Sequence, residues 1–110
     1  MKILDTNIDY NLTKISNLRI LQKGFEQLAM DQDKIKDNKE LKQLDKIEQL
    51  CNLYVSFFIN VFGQENTTLI FGNDVDDFQK VFKAITDVTE ELNNVQKDMG
   101  NMSKYTKRLK

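Results

Sequence analysis

The chain has 110 residues, of which 30% are charged and 40% hydrophobic, and its 16 Lys and Arg against 17 Asp and Glu give a net charge of −1. That length suits one domain and cannot fill two cores, while the apolar share is too high for a disordered chain. The near balance of charge excludes a general attraction to nucleic acid or to an anionic membrane, because long-range steering needs a surplus of one sign.

Pro is absent and Gly occurs four times, so the residues that interrupt helices are scarce and long helices are permitted almost everywhere. The single Cys, Cys51, rules out an intramolecular disulfide, and Met1 to Asp5 lacks the apolar stretch of a secretion signal, so a cytosolic protein is expected. The most apolar stretch, Leu50 to Phe62, is interrupted by Asn52, Ser56 and Asn60 and falls short of the roughly 20 residues that span a bilayer. No transmembrane segment is expected.

In residues 1–13, Ile8, Tyr10 and Leu12 share a period of two, which predicts a short N-terminal strand or hairpin arm. From Ile15 the period changes. Leu18, Leu21, Phe25 and Leu28 form one helical stripe, and a first helix is predicted over about 16–36 with Thr13 or Ser16 as N-cap. Gly24 costs that helix roughly 1 kcal/mol relative to Ala, a cost consistent with close packing against a neighbour.

Residues 31–48 mix acids and lysines at helical spacings and contain either an exposed helical extension or a turn near Asp37-Asn38. A second helix is predicted from Asn38 to Phe62, with Leu44, Ile47, Cys51, Tyr54, Phe58 and Val61 on its stripe. In its second half, Asn52, Ser56 and Asn60 form one thin polar line on an otherwise apolar surface, as expected of a central helix. Gly63 and Gly72 bracket a short segment of one or two helical turns. Asn73 or Asp74 is expected to cap a third long helix, with Asp76 and Asp77 in its first turn opposing the dipole. Phe78, Val81, Ile85, Val88, Leu92, Val95, Met99 and Met102 then make an unbroken two-per-heptad seam, which Thr106 and Leu109 continue less well. The predicted fold is mainly α: a single-domain bundle of about three long helices, with residues 97–110 as a basic helical extension. The two Phe-Gly pairs are read as turns that set the second and third helices antiparallel around a core of Phe58, Phe62, Phe71, Phe78, Phe82 and Ile85.

Catalytic equipment is sparse. The chain has no His, which removes the common proton shuttle and the common nitrogen ligand for zinc. No Gly-rich phosphate loop follows a strand, and Cys51 falls on a predicted buried stripe where Cys behaves as a small hydrophobe. Asp74, Asp76 and Asp77 are explained by capping and the dipole before cation binding, and Asp31, Asp33 and Asp37 lack the Gly and terminal Glu of a calcium loop. No enzyme activity, cofactor or metal is expected. Lys104, Lys107, Arg108 and Lys110 crowd the last seven residues around Tyr105; as cations near a helix C-terminus they complement its dipole, and a nucleic-acid tail is the weaker reading.

The seam carries the most functional information. Valines at its d positions disfavour a parallel dimer, and the e positions Phe82, Thr89, Gln96 and Ser103 lack partner-selecting charge. A helix of about 30 residues is about 45 Å long and outruns a compact domain of this size. Its far end therefore projects, folds back near Gly100, or meets another chain. Val95, Met99 and Met102 are the candidate partner-binding strip, since Met adapts well to an irregular partner, with Lys104, Lys107 and Arg108 as its solvated rim.

The run Phe57-Phe58-Ile59-Asn60-Val61-Phe62-Gly63-Gln64-Glu65-Asn66-Thr67-Thr68-Leu69-Ile70-Phe71-Gly72 resembles the signature of small proteins encoded in the tail-gene cluster of siphophages of Gram-positive bacteria. In that family an aromatic-rich helix ends in Phe-Gly, and an Ile-Phe-Gly closes a short segment before a final helix. The resemblance implies a role in tail morphogenesis in the host cytoplasm, as an assembly chaperone engaging the tape-measure protein. The resulting expectation is a non-catalytic phage protein that binds a protein partner, either a phage tail component or a host protein, and forms a homo-oligomer. The rival readings are a small phage-encoded inhibitor of a host defence enzyme and a nucleic-acid-binding regulator that uses the basic end.

Overall fold

The computed structural model describes the backbone of residues 1–108 and the side chains through Met102. Strands β1 (Lys2–Ile3) and β2 (Thr6–Asn7) form a small antiparallel hairpin, followed by helices α1 (Ile15–Lys36), α2 (Gln43–Phe62), α3 (Gln64–Phe71) and α4 (Phe78–Arg108). The architecture is mainly α, as the periodicities require.

The hairpin turns on Leu4 and Asp5, both left-handed at φ 50° and 62°. Two consecutive residues of that kind give the tight turn whose twist matches paired strands, at a conformational cost for residues other than Gly. The Leu4 N–H donates to the Asp87 carboxylate at 2.9 Å, which ties the turn to α4. Ile3 is fully buried. The period-two reading of Ile8, Tyr10 and Leu12 did not mark a strand, because the strands lie earlier; Ile8 and Leu12 are nonetheless buried, and Tyr10 packs edge-on against Phe62 at 4.7 Å.

Neither Thr13 nor Ser16 caps α1. The N-cap is Lys14, without a side-chain bond, and the Thr13 backbone and hydroxyl both donate to Asn11 Oδ1. Helices α1 and α2 run antiparallel: Gly24 faces Phe57 and Val61, the Tyr54 hydroxyl donates to Gln32 Oε1 at 2.6 Å, and Lys46 Nζ donates to the Lys36 carbonyl. The turn near Asp37-Asn38 exists, so α2 starts at Gln43 and not at Asn38. Asn52, Ser56 and Asn60 are exposed as a line, whereas Leu50, Cys51, Tyr54, Phe57, Phe58, Val61 and Phe62 are buried. Leu44, read as part of the α2 stripe, lies beyond the core and is 75% exposed.

Gly63 breaks the α2–α3 run at φ 89°, ψ 161°, a region only Gly occupies readily. The reversed α3 packs on α2 and sets Phe71 edge-on to Phe58 at 5.2 Å. The buried Thr67 hydroxyl donates to the Gly63 carbonyl, so it carries no unpaired polar atom. After Gly72 the chain returns along the bundle before α4 begins. Asp77 accepts from the N–H groups of Gln79 and Lys80, so it is the cap, in place of Asn73 or Asp74.

Two reversals, one at Gly63 and one after Gly72, return the chain to its original direction, so the expected antiparallel packing does not form. Cys51 and Phe78 share a groove, and Tyr54 meets Phe82 edge-on at 5.3 Å, so α2 and α4 run parallel and not antiparallel. Val81, Ala84 and Val88 are fully buried, but Phe78 is 46% exposed and sits at the edge of the expected core. Helix α4 passes straight through Gly100, which neither ends it nor folds it back. Its 31 residues, about 46 Å, give the molecule extents of 56 × 31 × 19 Å. The radius of gyration of 16.1 Å exceeds the roughly 13 Å of a compact chain this long.

Phe58→Ala should therefore lower stability by about 3–5 kcal/mol, while the edge residue Phe78→Ala should cost about 1 kcal/mol or less, both read from urea unfolding. At Gly24 an added Cβ would lie 2.8 Å from Val61 Cγ2 and 3.0 Å from Phe57 Cε2, and a valine on a helix has one preferred rotamer and cannot swing away. Gly24→Ala should therefore destabilise by about 1 kcal/mol despite its better helix propensity, whereas Gly100→Ala, with open space around the new methyl, should stabilise by up to about 1 kcal/mol.

Burial holds the Tyr10 and Tyr54 phenols above their ordinary value, with Cys51 adding to the effect at Tyr54. Burial, with Asp76 and Asp77 adding, does the same for the Cys51 thiol. All three are neutral when protonated, so the folded state holds these protons to higher pH than the unfolded chain. Their contribution is complete below the unfolded values, about 8.5 for Cys and 10 for Tyr, and is lost as pH rises through the folded ones. The urea midpoint should be flat near neutrality and fall above about pH 9, and a Tyr10→Phe/Tyr54→Phe variant should flatten that fall.

Candidate functional site

Helix α4 changes character along its length. Val81, Ala84 and Val88 are sealed against the core, Leu92 and Val95 are half-covered at its edge, Met99 is 47% exposed and Met102 64% exposed. The residues of one seam thus pass from core to surface without a change of register. Helix α4 is longer than the core is tall, so residues in register with the buried ones lose their cover where the helix runs past its neighbours.

The beginning of α1 lies opposite that far end. Ile15, 70% exposed, and the half-buried Leu18 border an open groove with Leu92, Gln96 and Met99, with Arg19 on the rim. Of the candidate strip, Val95 is mostly core edge, and Met99 and Met102 are its accessible part. Lys104, Lys107 and Arg108 follow on the last turns of α4; their side chains lie outside the described residues. Ile15 was absent from the sequence-derived site. Its signal was legible all the same, because it stands three residues before Leu18 and extends the α1 stripe past the point where α2 can cover it.

A second apolar surface lies at the other end of the bundle. Leu44, Val75 and Phe78 surround a groove whose floor includes Cys51, and Glu48 and Asp76 are the charged residues lining it. Nothing in the sequence periodicity singled it out, because Val75 belongs to the irregular link between α3 and α4. The high thiol value leaves Cys51 protonated and a poor nucleophile near neutral pH.

Among the described residues, no three His, Cys, Asp or Glu side chains converge as metal ligands, and no helix is long and apolar enough to cross a membrane. Two of the apolar grooves on the described surface lie at opposite ends of an elongated bundle, which is an arrangement suited to docking other chains. No curated protein and no solved structure matches the sequence. A family model described as a family of unknown function, DUF6673, matches residues 4–110, and the chain belongs to that family.

Proposed function

We propose that this chain is a non-catalytic binding protein of phage tail morphogenesis, an assembly chaperone that shields an apolar helical segment of a tail component in the host cytoplasm. The observation that carries the binding role is the groove where Ile15 and Met99 stand exposed beside Leu18 and Leu92. An apolar helix laid there would extend the seam of α4 and meet side chains that already follow helical spacing. The assignment to tail assembly is supported by the likeness of residues 57–72 to small proteins of siphophage tail-gene clusters. A chaperone of this kind requires accessible apolar helix and no reacting groups, in keeping with a chain that has no His.

The test is affinity capture from phage-infected cells followed by mass spectrometry, using the intact chain and an Ile15→Asp/Met99→Asp variant. The intact chain should retain a long, helix-rich tail protein. The variant, altered at two exposed positions and still fully helical by circular dichroism, should lose at least about tenfold of that binding, since burying an unpaired charge in an apolar contact is strongly unfavourable. Capture of a host defence enzyme alone, or of nucleic acid alone, would overturn the assignment to tail assembly.

A further inference from the structure

The groove at the start of α4 and the end of the same helix are complementary in both chemistry and charge. Leu44, Val75 and Phe78 expose apolar surface around Cys51, and the two ionisable side chains on the lining besides that thiol, Glu48 and Asp76, are both acids. Of the acids that flank Asp76 in the sequence, Asp77 is engaged at the cap of α4 and Asp74 is paired with Lys80 at 3.9 Å, so the free acids of the groove are Glu48 and Asp76. The last eight residues carry Lys104, Lys107, Arg108 and Lys110 without a single acid, following the exposed Met99 and Met102. One end thus exposes Met99 and Met102 ahead of a basic stretch of sequence, and the other an apolar groove with anions.

These two ends cannot meet within one molecule. Phe78 and Met102 lie on one continuous helix, about 36 Å apart along its axis at 1.5 Å per residue. We infer that the groove formed by Leu44, Val75 and Phe78 receives the C-terminal end of α4 from a second copy of this chain. The contact is head to tail, with the basic end of one copy in the acidic groove of the next. Such a contact uses two different patches and leaves one of each unoccupied in a dimer, so it propagates into a ring or a linear series. The opposite charges add a salt-dependent attraction and fix which end enters the groove. The inference rests on the reading of the α4 end as a binding element, and it assigns that end an occupant in the absence of a tail partner.

Sedimentation velocity on the full-length chain over a concentration series provides the test. Two charge-reversal variants are compared with it: Glu48→Lys/Asp76→Lys in the groove and Lys104→Glu/Lys107→Glu/Arg108→Glu at the helix end. A third, Leu44→Asp/Val75→Asp, alters the groove at exposed positions where folding is least at risk. The unaltered chain should form a reversible series of species that shrinks as salt is raised. Each variant alone should associate at least about tenfold more weakly. An equimolar mixture of the groove and end charge-reversal variants should recover association, because the intact end fits the intact groove and the two reversed surfaces are again opposite in charge. A monomeric wild-type chain at every concentration overturns the proposal, as does a mixture that stays monomeric. If the groove variants associate as tightly as wild type while the end variant does not, the end of α4 binds elsewhere: the groove assignment falls and the broader reading of that end survives.

Discussion

The second half of helix α2 has only one narrow polar line, so it is stable only with other parts of the chain packed against its remaining sides. Asn52, Ser56 and Asn60 face solvent, and the residues between them bring Tyr54, Phe57, Phe58 and Phe62 into contact with α1, α3, α4 and the N-terminal arm. Each buried aromatic or large aliphatic side chain contributes on the order of 1.5–3 kcal/mol relative to exposure. Much of the molecule can be understood as the means of covering this one helix. Gly24 removes the methyl that would hold α1 away, Gly63 reverses the chain so that α3 can lie back on α2, and Ala84 lets α4 approach where a larger residue would not fit.

The parts of this arrangement that are local in sequence were legible. Apolar stripes located α1, α2 and α4 to within a few residues, the thin polar line identified α2 as central, and the two glycines bounded α3. Direction was not legible, because it depends on the path between Gly63 and Phe78. The two Phe-Gly turns suggest an antiparallel pair, whereas the reversal at Gly63 and the one after Gly72 leave α2 and α4 parallel. The cap of α4 was misplaced for a related reason. Asn73, Asp74 and Asp77 are all competent caps, and the choice among them is set by where the packed helix must start.

The candidate site was half legible. Met99 and Met102 could be found because a regular seam outruns the height of a small core. Ile15 is three residues before an obvious stripe, yet its exposure follows from the tertiary position of the α1 start, beyond the reach of α2. Leu44 and Phe78 carried a misleading signal. Both stand in register with core residues, and both lie one turn past the end of the core, where register no longer implies burial. The groove they share with Val75 is thus a product of topology: a helix start, a helix cap and an irregular link meet there because α4 runs parallel to α2.

That same parallel arrangement separates the two accessible apolar surfaces. Had α4 returned antiparallel to α2, its basic end would lie near the start of α2, beside Leu44 and Glu48, and one molecule could have satisfied both. Running parallel, α4 instead carries Met99 and Met102 to the end of a 56 Å molecule, away from the acids of its own groove, and the basic residues follow them in sequence. Intramolecular closure is then excluded by the stiffness of a continuous helix, in which Gly100 introduces no break. Apolar surface that cannot be buried at home remains available to other chains. The two grooves lie at opposite ends of the molecule, an arrangement that suits end-to-end contact.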